Sequence, residues 1–519
     1  MKRFWSALLA LVLFCCPLAR AAQPAFAAQA QVGQRRADGT YPISYRCDLE
    51  VSDLEHDFYY SEQLFDHPAQ QYDHALATLT LGMTMAASNS RASDGQYWLD
   101  GEAGRGRHLD QAFRTLGFGN IRLYHYDESL NHPARHAAYG IAQKTLTGAD
   151  GKTTTLVAVM VRGAGYGGEW ANNFEVNAGA AHTGFVDSAG ELFTTVRQYL
   201  DEAAARGDLG ELKLWAGGFS RGGALANLLA ARLAHEVPEL AVENTFVYTF
   251  AAPAALTAQA SAGWMLDYDN NHTAAGSLKP DWDASNVFNL ISSGDVVPRA
   301  MPEAWGYHRN GNDRYLPAVR DDAELRRLKA LSEAAGLTDL DFGHLGTSED
   351  TDSLVRTLLA VCTTQEMFVE KYQDALMDMM QCAMTRSEAE VAQGAILNDR
   401  EVIERLLSLE HMDQIPWWTM VRNVWLASSM SRPLLEKWGA NLPLQAQQVL
   451  VPLLAVGLCY NLETDVLQVL AQYIVSLFPV RGRVDQAVQV ILCHYPETYL
   501  VLMEAYDPSA HGREPYTIR

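Results

Sequence analysis

Hydrophobic and polar positions change rhythm several times along the chain. An apolar run over 5–16 follows Lys2 and Arg3 and gives way to small residues ending in Ala25-Phe26-Ala27. Residues 28–45 are rich in Gln, Ala and Gly and read as a loose leader. Over 61–87, Leu64, Tyr72, Leu76, Leu79 and Met83 recur at broadly helical spacing, and a second short helix is expected over 108–116, after Gly106. Strands are expected at 121–124 and 137–144. The Ala149-Asp150-Gly151 turn then precedes an apolar run over 154–161, the pattern of a strand buried on both faces. Helices over 182–204 and 221–235 alternate with strands at 212–216, 245–250 and 286–291. This alternation implies a mostly parallel sheet covered on both sides.

The rhythm changes again after Pro317. Residues 318–485 hold almost no strand signal and many helical runs, among them 322–335, 353–381 and 400–409. Two strongly apolar stretches, 449–462 and 466–480, are too short to span a bilayer, and Pro452 and a turn over 461–465 interrupt them. They read as a buried helical hairpin or, with Trp417, Trp418 and Trp425 nearby, as an apolar face for lipid or a hydrophobic substrate. The chain thus divides into a leader over 1–27, a leader and helical segment over 28–117, an α/β core over 118–317, a helical cap-like insertion over 318–485 and a return segment over 486–519.

Composition narrows the picture without redrawing it. At 48% hydrophobic and 20% charged residues, the 519-residue chain has ordinary globular content. The formal net charge of −22 argues against nucleic acid or an anionic membrane as the main partner. The charged n-region, short apolar run and Ala-x-Ala ending of 1–27 fit a secretory signal peptide, so an extracellular destination is expected. Its removal takes Lys2, Arg3 and Arg20 and no acid, moving the charge to −25. It also removes Cys15 and Cys16. Cys47, Cys362, Cys382, Cys459 and Cys493 remain, an odd number too sparse for a disulfide scaffold. No CxxC or HExxH supports zinc. Asp267, Asp269 and Asn271 imitate the start of a calcium loop, but His272 replaces the needed Gly and Leu278 the closing acid. No metal or cofactor is expected.

The chemistry concentrates at Gly218-Phe219-Ser220-Arg221-Gly222, a G-x-S-x-G motif that an apolar strand enters and an Ala/Leu-rich helix leaves. A nucleophile elbow needs that arrangement: the serine occupies a strained strand-to-helix turn, and the flanking glycines avoid collisions. Acyl transfer also needs donors for the oxyanion, usually two backbone N–H groups. Arg221, directly after the serine, supplies one candidate. The Gly-rich loop after the strand over 156–161, running from Arg162 to Trp170, supplies the other, with Ala164 N–H as the candidate donor.

Four blocks together resemble the class 3 (fungal-type) lipase family of α/β-hydrolases, in a secreted bacterial version. Val159-Met160-Val161-Arg162-Gly163-Ala164 is similar to that family's strand ending in F-R-G-T/S, and His182-Thr183-Gly184-Phe185 to its V-H-x-G-F helix start. Residues 218–223 are similar to G-H-S-x-G-G. Gly294-Asp295-Val296-Val297-Pro298-Arg299 is similar to its D-x-V-P-R/H block. The resemblance covers roughly residues 155–316 and implies an α/β-hydrolase fold hydrolysing carboxylic esters through a Ser–Asp–His triad without a metal. Two positions depart from it: Phe219 stands where many members have His, and Ala164 replaces the usual Thr or Ser, removing a hydroxyl donor.

Ser220 and Asp295 come in the chain order expected of α/β-hydrolases. The histidine is open among those after Asp295. His308 lies in the Asp block's strand-like continuation, His411 in the helical insertion and His511 near the end. His344 sits at about the family's usual distance from the aspartate. His494 opens His494-Tyr495-Pro496-Glu497-Thr498-Tyr499, a loop before a terminal helix that also resembles a segment of secreted bacterial relatives. His494 is the preferred base. His182 and the Arg221 side chain read as structural. The expected partner is a small-molecule or lipid ester, acylglycerol-like, with transient contact to a lipid interface. Peptidase or acyltransferase chemistry on the same elbow, or a silent hydrolase fold serving as a binding module, stays open.

Overall fold

In a computed structural model, the described residues are 35–37, 39–47, 52–88, 105–126, 136–148, 151–165, 169, 172–176, 182–207, 210–237, 239–257, 283–316, 322–334, 336–337, scattered positions from 349 to 373, and 493–506. The leader 1–27, the imitated calcium loop, His344, His411, His511, the two apolar stretches and Trp417, Trp418 and Trp425 lie outside these residues.

Seven strands form one sheet in the order β11-β9-β7-β6-β5-β4-β3. They are β3 (Gly119–Tyr124), β4 (Tyr139–Thr147), β5 (Thr153–Val161), β6 (Glu211–Phe219), β7 (Thr245–Phe250), β9 (Val287–Ile291) and β11 (Asn312–Tyr315). All neighbours from β5 to β11 are parallel, and β4 alone runs against the rest. The continuous apolar run in β5 has the reason expected of it. Leu156, Ala158 and Met160 enter one core cluster, while Val157, Val159 and Val161 enter another. Both faces are covered, so alternation with polar residues would leave polar groups buried.

One face is covered by the two crossover helices, α3 (Thr183–Ala205) and α4 (Arg221–Glu236), through Phe185, Leu192, Val196, Leu225, Leu228 and neighbours. The other face is covered by elements from the two ends of the described chain. Helix α1 (His74–Ala86) is capped by Asp73, whose carboxylate accepts the Leu76 N–H at 2.8 Å. It lies on β6, where the Trp215 indole donates to Thr80 Oγ1 at 2.8 Å. Helix α7 (Pro496–Glu504) packs beside it, and the His74 ring meets the Met503 carbonyl at 2.9 Å. Helix α2 (Arg107–Thr115) joins this layer, as does α5 (Asp322–Ala334) through Leu328, and α6 (Gln365–Lys371) follows α5 in the chain. Sheet and helices together make an α/β-hydrolase fold.

The N-terminal region differs from expectation. A loose leader followed by one long helix is replaced by an antiparallel hairpin, β1 (Thr40–Cys47) with β2 (Ser52–Tyr59), a short 3₁₀ turn at Glu62–Phe65, and only then α1. Ile43, Tyr45 and Phe58 point into the core. Pro42 is tolerated because the pair has a free outer edge. Residues 307–308 and 256–257 add a second short pair, β10 (Tyr307–His308) with β8 (Leu256–Thr257).

Candidate active site

Strand β6 runs without interruption into Ser220, and α4 starts at the next residue. Ser220 has φ 54° and ψ −122°, a left-handed conformation costing of order 1–3 kcal/mol in a non-glycine residue. The fold holds it there. The Ser220 N–H donates to the Phe250 carbonyl at 2.8 Å, and the Ser220 carbonyl accepts from Ala224 at 3.1 Å. The tight turn explains two glycines: a Cβ on Gly218 would run into the Gly222 carbonyl oxygen, and one on Gly222 into that of Val161. Elbow and β5 end are thus in backbone contact.

Three side chains from distant parts of the sequence meet above the elbow. His494 Nε2 lies 3.0 Å from Ser220 Oγ, and His494 Nδ1 lies 2.9 Å from Asp295 Oδ2. Asp295 is fully buried, on the loop after β9, while Ser220 and His494 are half-buried, so the carboxylate end of the relay is dry and the serine end is open. Asp295 accepts two further hydrogen bonds, from Val297 N–H to Oδ1 at 2.9 Å and from the Tyr499 hydroxyl to Oδ2 at 2.8 Å. A carboxylate accepting on both oxygens leaves His494 Nδ1 as the donor. In the neutral ring Nε2 then accepts the Ser220 hydroxyl proton.

Tyr499 joins this cluster without being singled out by the sequence. Its hydroxyl also accepts the Ser292 N–H at 3.0 Å, so it links the strand end before Asp295 to the carboxylate itself. Burial, and next the Asp295 charge, push the phenol well above its usual range, so it remains a donor. Tyr499 follows His494 by little more than one helical turn. The only available signal was an aromatic residue at that interval. Phe219 stands beside both, with ring centroids 5.4 Å from His494 and 5.4 Å from Tyr499.

The two candidate oxyanion donors flank the serine. Arg221 N–H is the first amide of α4, where helix geometry offers no intrahelical acceptor and the helix dipole favours negative charge. Gly163 approaches from the other side: a Cβ there would sit 3.4 Å from the Phe219 carbonyl oxygen and 3.8 Å from Ser220 Cβ, so Ala164 begins beside the elbow. The Arg221 side chain turns away into the α3 layer. It donates to Asn173 Oδ1 at 3.0 Å, the Gly184 carbonyl at 2.9 Å and Ser188 Oγ at 2.6 Å, and burial lowers its pKa to about 10. His182 donates to the Asn173 carbonyl at 3.0 Å. Its pKa is pushed down to about 3, chiefly by burial; the Asn173 hydrogen bond opposes the shift and the Arg221 charge adds to it. Both are structural here.

His308 lies on β10, in the fold's second small pair, with Leu256 as its strand partner. Residues after the core reach the Asp295 loop: Thr351 donates to the Gly294 carbonyl at 2.9 Å, Arg299 pairs with Asp352, and Gln365 donates to the Tyr307 hydroxyl at 2.9 Å. Among the described residues no cluster of three or more His, Cys, Asp or Glu could hold a metal, and no helix is long and apolar enough to cross a membrane.

Residues 153–305 match the class 3 lipases, a segment from the start of β5 to just past the Asp295 loop. Solved structures with a similar fold include the Rhizomucor miehei lipase–propeptide complex, at 19% identity and TM-score 0.29, covering 46% of this chain and 66% of that one. The chain therefore spans just under two thirds of that protein. A triacylglycerol lipase described as having a serine-protease triad at its catalytic centre aligns at 18% identity and TM-score 0.30, over 47% of this chain and 79% of its own. The lipase from Rhizopus microsporus var. chinensis aligns at 18% identity and TM-score 0.26, over 41% and 67% respectively. No curated protein sequence matches the chain.

Proposed function

We propose that this chain hydrolyses acylglycerol-like carboxylic esters through a covalent acyl-enzyme on Ser220, with His494 as general base and acid and Asp295 as the group that orients it. The observation that carries the reading is the continuous relay Ser220 Oγ–His494–Asp295, at 3.0 and 2.9 Å, ending on a serine held at positive φ. As Oγ attacks the ester carbonyl carbon, its proton passes to Nε2, and the buried Asp295 stabilises the imidazolium that forms. The Ala164 and Arg221 amides receive the oxyanion. Collapse of the tetrahedral species breaks the C–O bond, and the Nε2 proton goes to the departing alkoxide. Water then attacks the acyl-enzyme, giving its proton to Nε2, and the carboxylic acid leaves with Ser220 restored.

The mature protein begins after residue 27 and acts outside the cytoplasm, where an acidic surface suits an uncharged ester better than a polyanion. N-terminal sequencing of secreted protein checks that start. Hydrolysis of short- and long-chain nitrophenyl esters, compared among the unaltered protein, Ser220→Ala and His494→Ala, tests the chemistry. Loss of turnover in both variants, with phosphonate labelling lost in Ser220→Ala, is expected. Equal rates in all three would exclude the relay, and labelling by an acyl-peptide probe without ester turnover would indicate a peptidase.

A further inference from the structure

Position 164, the candidate second oxyanion donor, is an alanine, so it can offer only its backbone N–H. That amide works only if its peptide plane faces the right way. The structure contains a device that fixes this plane. Arg162 Nε donates to the Gly163 carbonyl at 3.2 Å. The Gly163 carbonyl and the Ala164 N–H belong to one planar trans peptide and point in opposite directions, so holding the first aims the second.

The guanidinium is itself immobilised. Its NH2 group donates to both carboxylate oxygens of Glu169, each at 2.7 Å, and both side chains are almost fully buried. Glu169 Oε2 also accepts the Gly165 N–H at 2.6 Å. Residues 162 and 165 flank the 163–164 peptide, and both end on the same carboxylate. Gly165 presses directly on the guanidinium: a Cβ there would lie 2.6 Å from the Arg162 Cζ. The Tyr126 ring lies on the guanidinium as well, 5.5 Å from Cζ to centroid. The Arg162 N–H donates to the Ala138 carbonyl on the way into β4, at 2.9 Å, which fixes the start of the loop. A buried ion pair is weak evidence for stability in itself, because desolvation offsets the attraction. Its value here is geometric.

We infer that Arg162 and Glu169 are positioning residues for the reaction, a buried clamp that orients the Gly163–Ala164 peptide so that its N–H faces the oxyanion forming on Ser220. This rests on the ester-hydrolase reading of Ser220. It predicts a defect in transition-state stabilisation with substrate binding left intact.

The test uses the full chain and three variants: Glu169→Gln, nearly isosteric but uncharged; Arg162→Lys, which keeps the charge and loses Nε and the fork; and Arg162→Gln. Active sites are counted by stoichiometric labelling of Ser220 with a fluorescent phosphonate. Turnover of 4-nitrophenyl butyrate is then expressed per labelled site. Losing an oxyanion donor outright costs about 10²–10³ in rate, so misaiming one is expected to lower kcat about tenfold or more, with KM within about twofold. The inhibition constant of an alkyl boronic acid, whose tetrahedral adduct carries the oxyanion, should rise by a similar factor. Arg162→Lys should recover little compared with Arg162→Gln. A purely structural pair would lower the melting temperature and the number of labelled sites while leaving kcat per site and boronate inhibition unchanged, and that result overturns the inference. If the unaltered protein neither turns over ester nor labels at Ser220, the ester-hydrolase reading falls and this inference with it. If it does both and Ser220→Ala does neither, a failure of the clamp variants to change kcat per site sinks the clamp alone.

Discussion

The two faces of the sheet are built in different ways. One is covered by α3 and α4, crossover helices that leave and re-enter the sheet within the β5-to-β7 part of the chain. This face supplies Ser220 at the head of α4, with the Arg221 amide beside it. The opposite face is covered by α1, from near the start of the described chain, and α7, from its end, held together through His74 and Met503. This face supplies His494, one residue before the N-cap of α7, and Tyr499 within it. On the proposed reading, the nucleophile depends on a local strand-turn-helix unit, whereas its base depends on the docking of a helix 274 residues away. Damage to either face should destabilise the protein. Damage to the α1/α7 face should also disarm it.

The strongest way to break this comparison is His494→Ala, expected to lower kcat about 10³-fold or more on nitrophenyl esters while the protein stays folded by circular dichroism. His344→Ala, made in parallel, should keep its rate. The opposite pattern would assign the base to His344 and remove α7's catalytic part. Next in size is a matched pair of core truncations. Leu500 on α7 and Leu228 on α4 are both fully buried, so changing either to alanine should cost about 2–5 kcal/mol in denaturant unfolding. At a temperature where both variants remain folded, kcat should fall in Leu500→Ala and stay near the original value in Leu228→Ala. Equal kcat losses would mean that the faces do not divide the work.

Tyr499→Phe gives a smaller effect. It removes one of the donors to the Asp295 carboxylate and leaves the ring packing in place. A hydrogen bond to a charged group contributes about 1.5–3 kcal/mol, so a decrease in kcat of about tenfold with unchanged KM is expected. The smallest prediction concerns the α3/α4 face. His182 has a folded pKa of about 3 against about 6.5 when unfolded. Above pH ~6.5 both states are neutral and the residue adds no pH dependence. As the pH falls below that, the unfolded chain takes up the proton and the folded one does not, so stability drops until about pH 3. His182→Gln should therefore flatten the melting temperature between pH 6.5 and 4 relative to the original protein, with no such flattening above pH 7.

The legible parts of the sequence have a common cause. The apolar run before Val161, the G-x-S-x-G turn and the strand before Asp295 are each dictated by neighbours within a few residues. Burial on both faces demands continuous apolar residues, and the elbow demands small ones. The β1/β2 hairpin escaped because only alternate residues are buried. Tyr41, Ile43 and Tyr45 carry the period-two signal, but Pro42 and the acids of β2 obscure it. Glu169 escaped for a different reason: an acid in a Gly-rich loop reads as a solvated surface residue, and only the fold shows it sealed against Arg162.

By itself the sequence determined a mostly parallel sheet with crossover helices, the position of a strained serine at one strand end, and an aspartate after a later strand. Those follow from short-range sterics and from the rule that a strand buried on both sides must be apolar. It left several histidines in competition, marked Tyr499 by nothing more than an aromatic residue shortly after His494, and gave no sign of the Arg162–Glu169 ion pair. Only the tertiary structure brought His494 to 3.0 Å from Ser220, put Tyr499 on Asp295 and closed the carboxylate of Glu169 over the loop. These contacts depend on how α7 docks on α1 and how the loop after β5 folds back on itself, and no local pattern encodes a distance between segments that meet only when the core closes.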